Sequence, residues 1–289
     1  MFNHIHIKDL EDYFVELHAR KEKGGYFYRI NGYSDNIARF IKKYYETARK
    51  SGVVIEGKIQ NPDQKNLAYY QEIMGLDFRL DMSFILQSLQ KWLPRMNEYQ
   101  RNVVGKSIYN SLLEMRMAGK TENMLKNAYI KYMCWLYYKF ERIINQLGNN
   151  CVPKILYEGE ISHYELMLIS ILSNAGCDVI LLQYKGDQAY LKEDKESKLS
   201  EVYDLESQIG FPQNYSLKAV RAEMQEEFNN QLLYGTLPKH INCTNAWIKG
   251  KGLDDFLEPV LTRGNDENLY YNCFCRINGV EDKLTYANE

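Results

Sequence analysis

The chain has 289 residues, and its 36 lysines and arginines nearly balance its 38 aspartates and glutamates. A chain of this length can bury a core without disulfides or metals, and its charge balance supplies no positive field that would draw it onto nucleic acid or anionic lipid. We therefore expect a globular protein with no nucleic-acid partner and no membrane partner.

The cysteines and the apolar runs predict a cytoplasmic location. The six cysteines are dispersed and include no Cys-x-x-Cys pair, a usage typical of free thiols in a reducing compartment. The first residues lack the basic and apolar regions of a secretory signal. The longest apolar run, Leu166 to Leu172, is far shorter than the roughly 20 residues that cross a bilayer.

Residues 1–63 are predicted to form a helix-strand-helix-strand unit. Leu10 to Arg20 has the spacing of an amphipathic helix, and Tyr26 to Gly32 is predicted as a short strand ending in an Asn-Gly turn. Asp35 to Ser51 has apolar residues at helical spacing and ends at Gly52. The apolar residues Val53 to Ile55 then predict a second strand.

Residues 64–148 are predicted to be helical. From Asp81 to Gly148 the apolar pattern has a helical period, with breaks near Pro94 and Gly119. A broad apolar stripe predicts one last helix from Leu125 to Leu147. The chain contains 24 tyrosines, a residue that places a ring in an apolar contact and a hydroxyl at the water boundary.

Residues 149–240 are predicted to form an α/β unit around a strand, an acidic turn, a helix and a second strand. Ile155 to Tyr157 is too short for a helix and predicts a strand, while the unbroken apolar run Val179 to Leu182 is typical of a parallel strand covered on both faces. Gly176 ends the intervening helix. Lys185 to Ser200 is polar and predicts a surface loop.

A weak internal repeat links the two ends of the chain. Leu10 to Arg20 is similar to Leu253 to Arg263, and Tyr26 to Ile37 is similar to Cys273 to Leu284. Residues 241–289 would then begin a second, truncated repeat. The sequence as a whole predicts an α/β fold of Rossmann-like parallel sheet units with a large helical insertion and a weak internal duplication.

Glu158 and Glu160 are the first candidates for chemistry. They follow a predicted strand, and ligands of open α/β sheets bind beyond the carboxyl ends of the strands. Alternation along an extended segment would put both carboxylates on one face, where they could act as general acid and base or hold a divalent cation against a phosphate. The alternative is a solvated acidic turn.

Three further candidates lie near the same predicted edge. Ser162 forms with Glu165 the Ser-x-x-Glu pattern of a capping box, which explains it better than catalysis does. Lys185 and Asp187 follow the second strand, where they could contact an anionic group or could be solvated loop charges.

The repeat adds Arg29, which precedes Ile-Asn-Gly as Arg276 does in the second copy. An arginine there could grip a phosphate or carboxylate in a two-pronged contact, and the equally weighted alternative is a structural arginine that closes a turn. No cluster has the spacing of a metal site, since His4 and His6 lie at a terminus where fraying is the simpler account.

These residues resemble the YceG-like family of bacterial tellurite-resistance and stress-response gene clusters. The similarity is carried by LYEGEISHYELMLISILSNAGCDVILL at Leu156 to Leu182, and by the aromatic-Arg-x-x-Gly strands YFYRING and CFCRING. Family members are nearly twice as long, so the resemblance implies that the present chain is an N-terminal portion. It further implies a cytoplasmic setting beside tellurium-resistance proteins, in a module that makes a nucleoside-like metabolite, and it assigns no catalytic residue.

We therefore expect a cytoplasmic component of a tellurite or stress-resistance system that binds a phosphorylated or nucleotide-like small molecule near Glu158 and Glu160. If the protein is an enzyme, one of these carboxylates would be the acid–base group or cation ligand, with Lys185 or Arg29 holding the substrate anion. The alternative is a scaffold that assembles partner proteins through its tyrosine-rich helical segment.

Overall fold

Two compact units make up the chain, Met1–Ser216 and Leu217–Glu289. The computed structural model describes residues 5–22, 24–60, 67–75, 77–203 and 209–234. The described part of the second unit is one helix, α9, Leu217–Tyr234. The second copy of the repeat lies outside the described residues.

Five parallel strands form a sheet in the first unit, in the order β2-β3-β4-β1-β5. They are β1 Phe27–Ile30, β2 Val53–Glu56, β3 Lys154–Glu158, β4 Asp178–Leu182 and β5 Glu201–Tyr203. The segments predicted as 1–63 and 149–240 thus contribute to one sheet, and the helical residues between them leave it after β2 and return at β3. The predicted α/β fold with a parallel sheet is confirmed.

Eight α-helices of the first unit are described together with a π-helical stretch, Leu136–Phe140. The helices are α1 Asp35–Ser51, α2 Leu67–Met74, α3 Met82–Trp92, α4 Glu98–Met117, α5 Glu122–Trp135, α6 Glu141–Ile144, α7 His163–Ala175 and α8 Gln188–Glu193. The helix predicted over 125–147 is therefore three consecutive pieces, α5, the π-helical stretch and α6, which continue one another.

The two faces of the sheet are covered by different helices. Ile155 and Tyr157 of β3 belong to the large apolar cluster that also contains buried residues of α3 to α7. Helix α1 packs against β2 and β3 on the opposite face, because the β1-to-β2 connection runs across the sheet in the opposite direction from the later connections. The sheet is thereby buried on both sides, as the unbroken apolar strands predict.

The predicted strand, helix and strand between 152 and 183 are all present as β3, α7 and β4, and β3 and β4 are parallel neighbours. Gly176 ends α7 with φ at +115°, a left-handed conformation that glycine adopts without a Cβ penalty. The predicted strand-helix-strand unit is confirmed.

Two local predictions are wrong. Leu10 to Arg20 is not an amphipathic α-helix but contains two short 3₁₀ helices, Leu10–Phe14 and Leu17–Ala19. The chain bends here so that Tyr13 and Arg20 both reach the sheet, where the Tyr13 hydroxyl donates to the Val179 carbonyl at 2.9 Å. The predicted surface loop 185–200 contains α8, because Tyr190 is fully buried and holds that segment against the sheet.

A buried charge cluster joins the amino ends of the strands. The carboxylate of Asp178 is fully buried and receives two hydrogen bonds from the Arg20 guanidinium, at 2.8 and 2.6 Å. The Lys154 ammonium lies at 2.7 Å, and the Tyr26 amide donates at 3.1 Å. Since both carboxylate oxygens have a charged partner, this cluster offers no free group to a ligand.

Candidate functional site

The strand order creates a switch point between the neighbouring strands β4 and β1. The chain leaves β1 toward β2 at one edge and leaves β4 toward β5 at the other. At such a point the connections diverge and leave a crevice beyond the carboxyl ends of the strands. Asn31 follows β1 at this edge, and its buried side-chain oxygen has no hydrogen-bond partner among the described residues.

A carboxylate and a phenol meet at this edge. The side chain of Glu158 ends β3 and accepts a 2.6 Å hydrogen bond from the Tyr184 hydroxyl, which follows β4. Glu158 is only 8% exposed. Burial raises the pKa of Tyr184 well above its usual range, and the hydrogen bond to Glu158 raises it further. Tyr184 therefore remains a protonated donor at neutral pH.

The carboxylate that neighbours Glu158 in the sheet is Glu56. The two residues are direct partners across β2 and β3, so their side chains leave the same face of the sheet. The charges of Glu158 and Glu56 both contribute to the raised pKa of Tyr184. The structure thus brings together a pair of acids that is not the pair predicted from the sequence.

Glu160 lies in different surroundings from Glu158. Between them Gly159 has φ at +108°, and this turn interrupts the extended alternation on which the prediction of a shared face was based. The Glu160 side chain is 70% exposed, and its carboxylate lies 3.6 Å from the ammonium of Lys185, which is 87% exposed. Glu160 and Lys185 form a solvated ion pair, and such a pair contributes little to stability.

An aromatic cluster lies beside Glu158. Four half-buried rings contact one another with centroid separations between 4.9 and 5.7 Å, mostly in tilted or edge-to-face arrangements. These rings, called the carboxyl-edge cluster below, are Tyr33, Tyr184, Phe211 and Tyr215. Two backbone hydrogen bonds between Tyr33 and Ile209, at 2.6 and 3.1 Å, tie residues 209–215 to the end of β1.

Arg29 and Asp187 are brought together as partners of each other. The Arg29 guanidinium donates to both carboxylate oxygens of Asp187 at 2.9 Å and to the carbonyl and hydroxyl of Ser200 at 2.7 Å. It also lies 3.9 Å from the centroid of the Tyr190 ring. Arg29 is 1% exposed.

The side chain of Arg29 lies on the other face of the sheet from Glu158. Arg29 is in register with Leu181, whereas Glu158 is in register with Leu182, and successive residues of a strand point to opposite faces. The contacts of Arg29 favour the structural alternative for this arginine. The side chains of Arg29 and Glu158 do not converge on one pocket.

Ser162 has the capping role that its sequence pattern predicts. Its hydroxyl and its amide both donate to one oxygen of the Glu165 carboxylate, the amide at 3.0 Å. The other oxygen of Glu165 accepts from the Ile59 amide at 2.6 Å, and Glu165 is 3% exposed. Glu165 therefore also fastens the chain after β2 to the start of α7, a role that the capping pattern alone does not predict.

No group of three or more histidine, cysteine, aspartate or glutamate side chains in the described ranges is arranged to hold a metal ion. Glu56 and Glu158 supply two carboxylates on one face, which suits a divalent cation only if a ligand or water provides further oxygens. Among the helices that the structure describes, none has the length and apolar character needed to cross a membrane.

Sequence reasoning missed Glu56, Tyr184 and Tyr33. All three lie at the carboxyl edge of the sheet: Glu56 ends β2 as Glu158 ends β3, while Tyr184 and Tyr33 lie two and three residues beyond the ends of β4 and β1. Once β2, β4 and β1 are placed in one sheet, that common position would identify all three. The sequence alone does not order the strands, so the signal was present but could not be used.

The fold and this edge define the chain as an α/β protein with an all-parallel sheet and a polar, aromatic-lined switch point. The model of the YceG domain matches residues 7–224, and the chain belongs to that family. A comparison with curated proteins and one with solved structures gave no significant match.

Proposed function

We propose that this protein binds a nucleotide-like or otherwise phosphorylated small molecule at the carboxyl edge of its sheet. The observation that carries the proposal is the hydrogen bond between Tyr184 and Glu158, beside half-buried aromatic rings at the switch point. Aromatic faces stack on planar bases, and a neighbouring carboxylate fixes the orientation of a base or a ribose through its N–H or O–H groups.

The other groups at this edge fit the same kind of ligand. The side-chain oxygen of Asn31, which is unsatisfied within the described ranges, can accept a hydrogen bond from an amino or hydroxyl group. The exposed ammonium of Lys185 can exchange Glu160 for a phosphate at little cost, because their ion pair is solvated. Glu56 and Glu158 can share a divalent cation with that phosphate.

If a reaction occurs at this edge, Glu158 is the better candidate for its acid–base group. It is buried and held by Tyr184, whereas the side chain of Glu160 is 70% exposed and lies in a solvated ion pair. A buried carboxylate beside a ligand has a fixed position, which proton transfer requires.

The resemblance described from the sequence is the support for a cellular setting. We propose that the protein acts in the cytoplasm, as a component of a bacterial tellurite or stress-resistance system, beside tellurium-resistance proteins in a biosynthetic module. The alternative is a scaffold built on the tyrosine-rich helical segment. Tyr129 and Tyr132 of that segment are buried in the core and cannot contact a partner, whereas Tyr99 and Tyr137, 54% and 36% exposed, could do so.

Calorimetric titration with a panel of nucleosides, nucleotides and sugar nucleotides, with and without magnesium, tests the proposal. We expect at least one of them to bind, and we expect Glu158→Gln to weaken that binding by about tenfold, or about 1.4 kcal/mol. Glu160→Gln is the matched control, because Glu160 carries the same charge two residues further along the chain and is solvated. Lack of binding by the whole panel, or equal effects of the two variants, would contradict the proposal.

A further inference from the structure

A cleft of about 440 Å³ lies at the opposite end of the sheet from the carboxyl-edge cluster. Its walls are one face of α4, the last turn of α7, the residues that precede β1 and the start of β5. Its volume lies within the roughly 300–1,000 Å³ that small-molecule sites occupy. The side chains of Glu56, Glu158 and Tyr184 do not line it.

Helix α4 turns a polar face toward this cleft. Lys106, Ser107, Asn110, Ser111 and Glu114 recur at intervals of three and four residues, so they form one stripe along the helix. A helix packed in a core normally presents apolar residues on its inner face. The polar stripe indicates that this face meets water or a polar ligand.

Carboxylates outnumber ammonium groups in the wall of the cleft. Glu22, Glu114 and Glu201 come from three separate segments, while Lys106 is the one basic residue among the described residues of the wall. Ser173 and Asn174 also line it, at the carboxyl end of the 13-residue helix α7, where the helix dipole adds negative potential. These features favour a ligand that carries positive charge.

One carboxylate of the wall, that of Glu201, has partners within the protein. Glu201 accepts a hydrogen bond from the Tyr28 hydroxyl at 3.0 Å and lies 2.8 Å from a ring nitrogen of His6. Burial raises the pKa of Tyr28 to about 12, so that this phenol stays a neutral donor. Glu201 is therefore held in place toward the cleft, as a positioned carboxylate.

An unsatisfied hydroxyl points to a ligand independently of the charges. Ser111 is 3% exposed, and its hydroxyl makes no hydrogen bond of normal geometry in the described part of the chain. The Tyr132 phenol lies nearby: burial raises its pKa, the Ser111 hydroxyl opposes that rise, and the phenol donates to the sulfur of Met115 at 3.8 Å. A buried hydroxyl costs free energy unless it is hydrogen-bonded, and a polar ligand in the cleft would supply that bond.

We propose that this cleft binds a small organic molecule that carries a primary ammonium group. Glu114 and Glu22 attract the ammonium, and Asn110 and Ser111 bond to its polar neighbours. The class includes polyamines, basic amino acids and amino sugars, which share the ammonium and differ in the rest of the molecule. The site is separate from the carboxyl-edge site, so each proposal can fail without the other.

Calorimetric titration of the full chain with spermidine, L-lysine and glucosamine distinguishes these sources, and inorganic phosphate serves as the oppositely charged control. We expect at least one of the amines to bind and phosphate to leave the cleft unoccupied. Glu114→Gln should weaken amine binding by about tenfold, and Asn110→Trp, a change at an exposed position, should abolish it by filling the cleft. Glu46→Gln, an exposed carboxylate on α1, should leave binding unchanged.

Amide hydrogen exchange of the wild type, with and without the bound amine, keeps the test independent of how well the variants fold. We expect added protection in residues 22–28 and 106–114. Failure of all three amines to bind, or protection confined to other segments, would overturn the proposal.

Discussion

The hydroxyl of Tyr184 donates a 2.6 Å hydrogen bond to the carboxylate of Glu158, across the carboxyl ends of β3 and β4. Glu158 is the last residue of β3, and Tyr184 lies two residues beyond β4. The two neighbouring strands therefore set the geometry of the pair. A carboxylate held in this way keeps one orientation. The pair therefore contributes both to stability and to the proposed binding site.

We expect Tyr184→Phe to lower the free energy of unfolding by about 1–2 kcal/mol, because the buried Glu158 loses a donor. Urea unfolding measures the change as a lower midpoint. Tyr137→Phe is the control, since Tyr137 stacks on Tyr69 through its ring, with centroids 4.2 Å apart. Equal midpoints for the two variants would show that the hydrogen bond contributes nothing.

We expect a larger loss of stability when the charge cluster around Asp178 is broken. Arg20→Met leaves a fully buried carboxylate that keeps Lys154 and one amide as partners, and breaking a buried ion pair costs about 3–5 kcal/mol. Urea unfolding should show that loss. Arg79→Met removes an exposed partner of Asp77 and should change stability by less than about 0.5 kcal/mol. A small effect of Arg20→Met would mean that water replaces the guanidinium.

The local parts of the fold were predictable because their signals lie close together in the sequence. The helix Asp35–Ser51 was placed at its observed ends, since Ser34 caps one end and Gly52 follows the other. Glu165 shows the limit of such signals. Its pattern predicts the cap on α7, but its bond to the Ile59 amide joins residues 106 positions apart and has no local signal.

The candidate site was less predictable than the fold because it depends on the order of the strands. Glu158 and Glu160 are close in sequence, yet the partner of Glu158 in the sheet is Glu56, about a hundred residues earlier. Arg29 lies in a repeated motif, and the motif alone does not tell an anion-binding arginine from one that binds Asp187. To pair Glu158 with Glu56, and to tell the two roles of Arg29 apart, one must know which strands are neighbours and on which face each side chain lies.

Alkaline pH should destabilise the protein. Burial raises the pKa of Tyr129 to about 12, whereas the same group in the unfolded chain titrates near about 10. Between these values the folded state holds a proton that the unfolded state has released, so the free energy of unfolding falls as pH rises through this window, and it is unaffected by this group below it. Urea unfolding at pH from about 9 to about 12 measures the slope.

Tyr129→Phe should reduce that alkaline slope, because the variant has no proton to lose at this position. Tyr99→Phe, at a residue that is 54% exposed, should leave the slope unchanged. A slope that Tyr129→Phe does not alter would assign the alkaline loss to other buried phenols.

The contacts of Arg29 predict that it holds the segment between α8 and β5 in place. Arg29→Lys keeps the charge but cannot bond Asp187, Ser197 and Ser200 at once, because a lysine ammonium lacks the planar fork of a guanidinium. We expect faster amide exchange in residues 188–203 and a stability loss of about 2 kcal/mol. The exposed Arg39, which bonds Asn36 at 2.6 Å, gives the control Arg39→Lys with unchanged exchange. If Arg29 instead served a ligand, Arg29→Lys would leave exchange in residues 188–203 unchanged and would weaken nucleotide binding, an outcome that the same protein preparations can reveal by calorimetry.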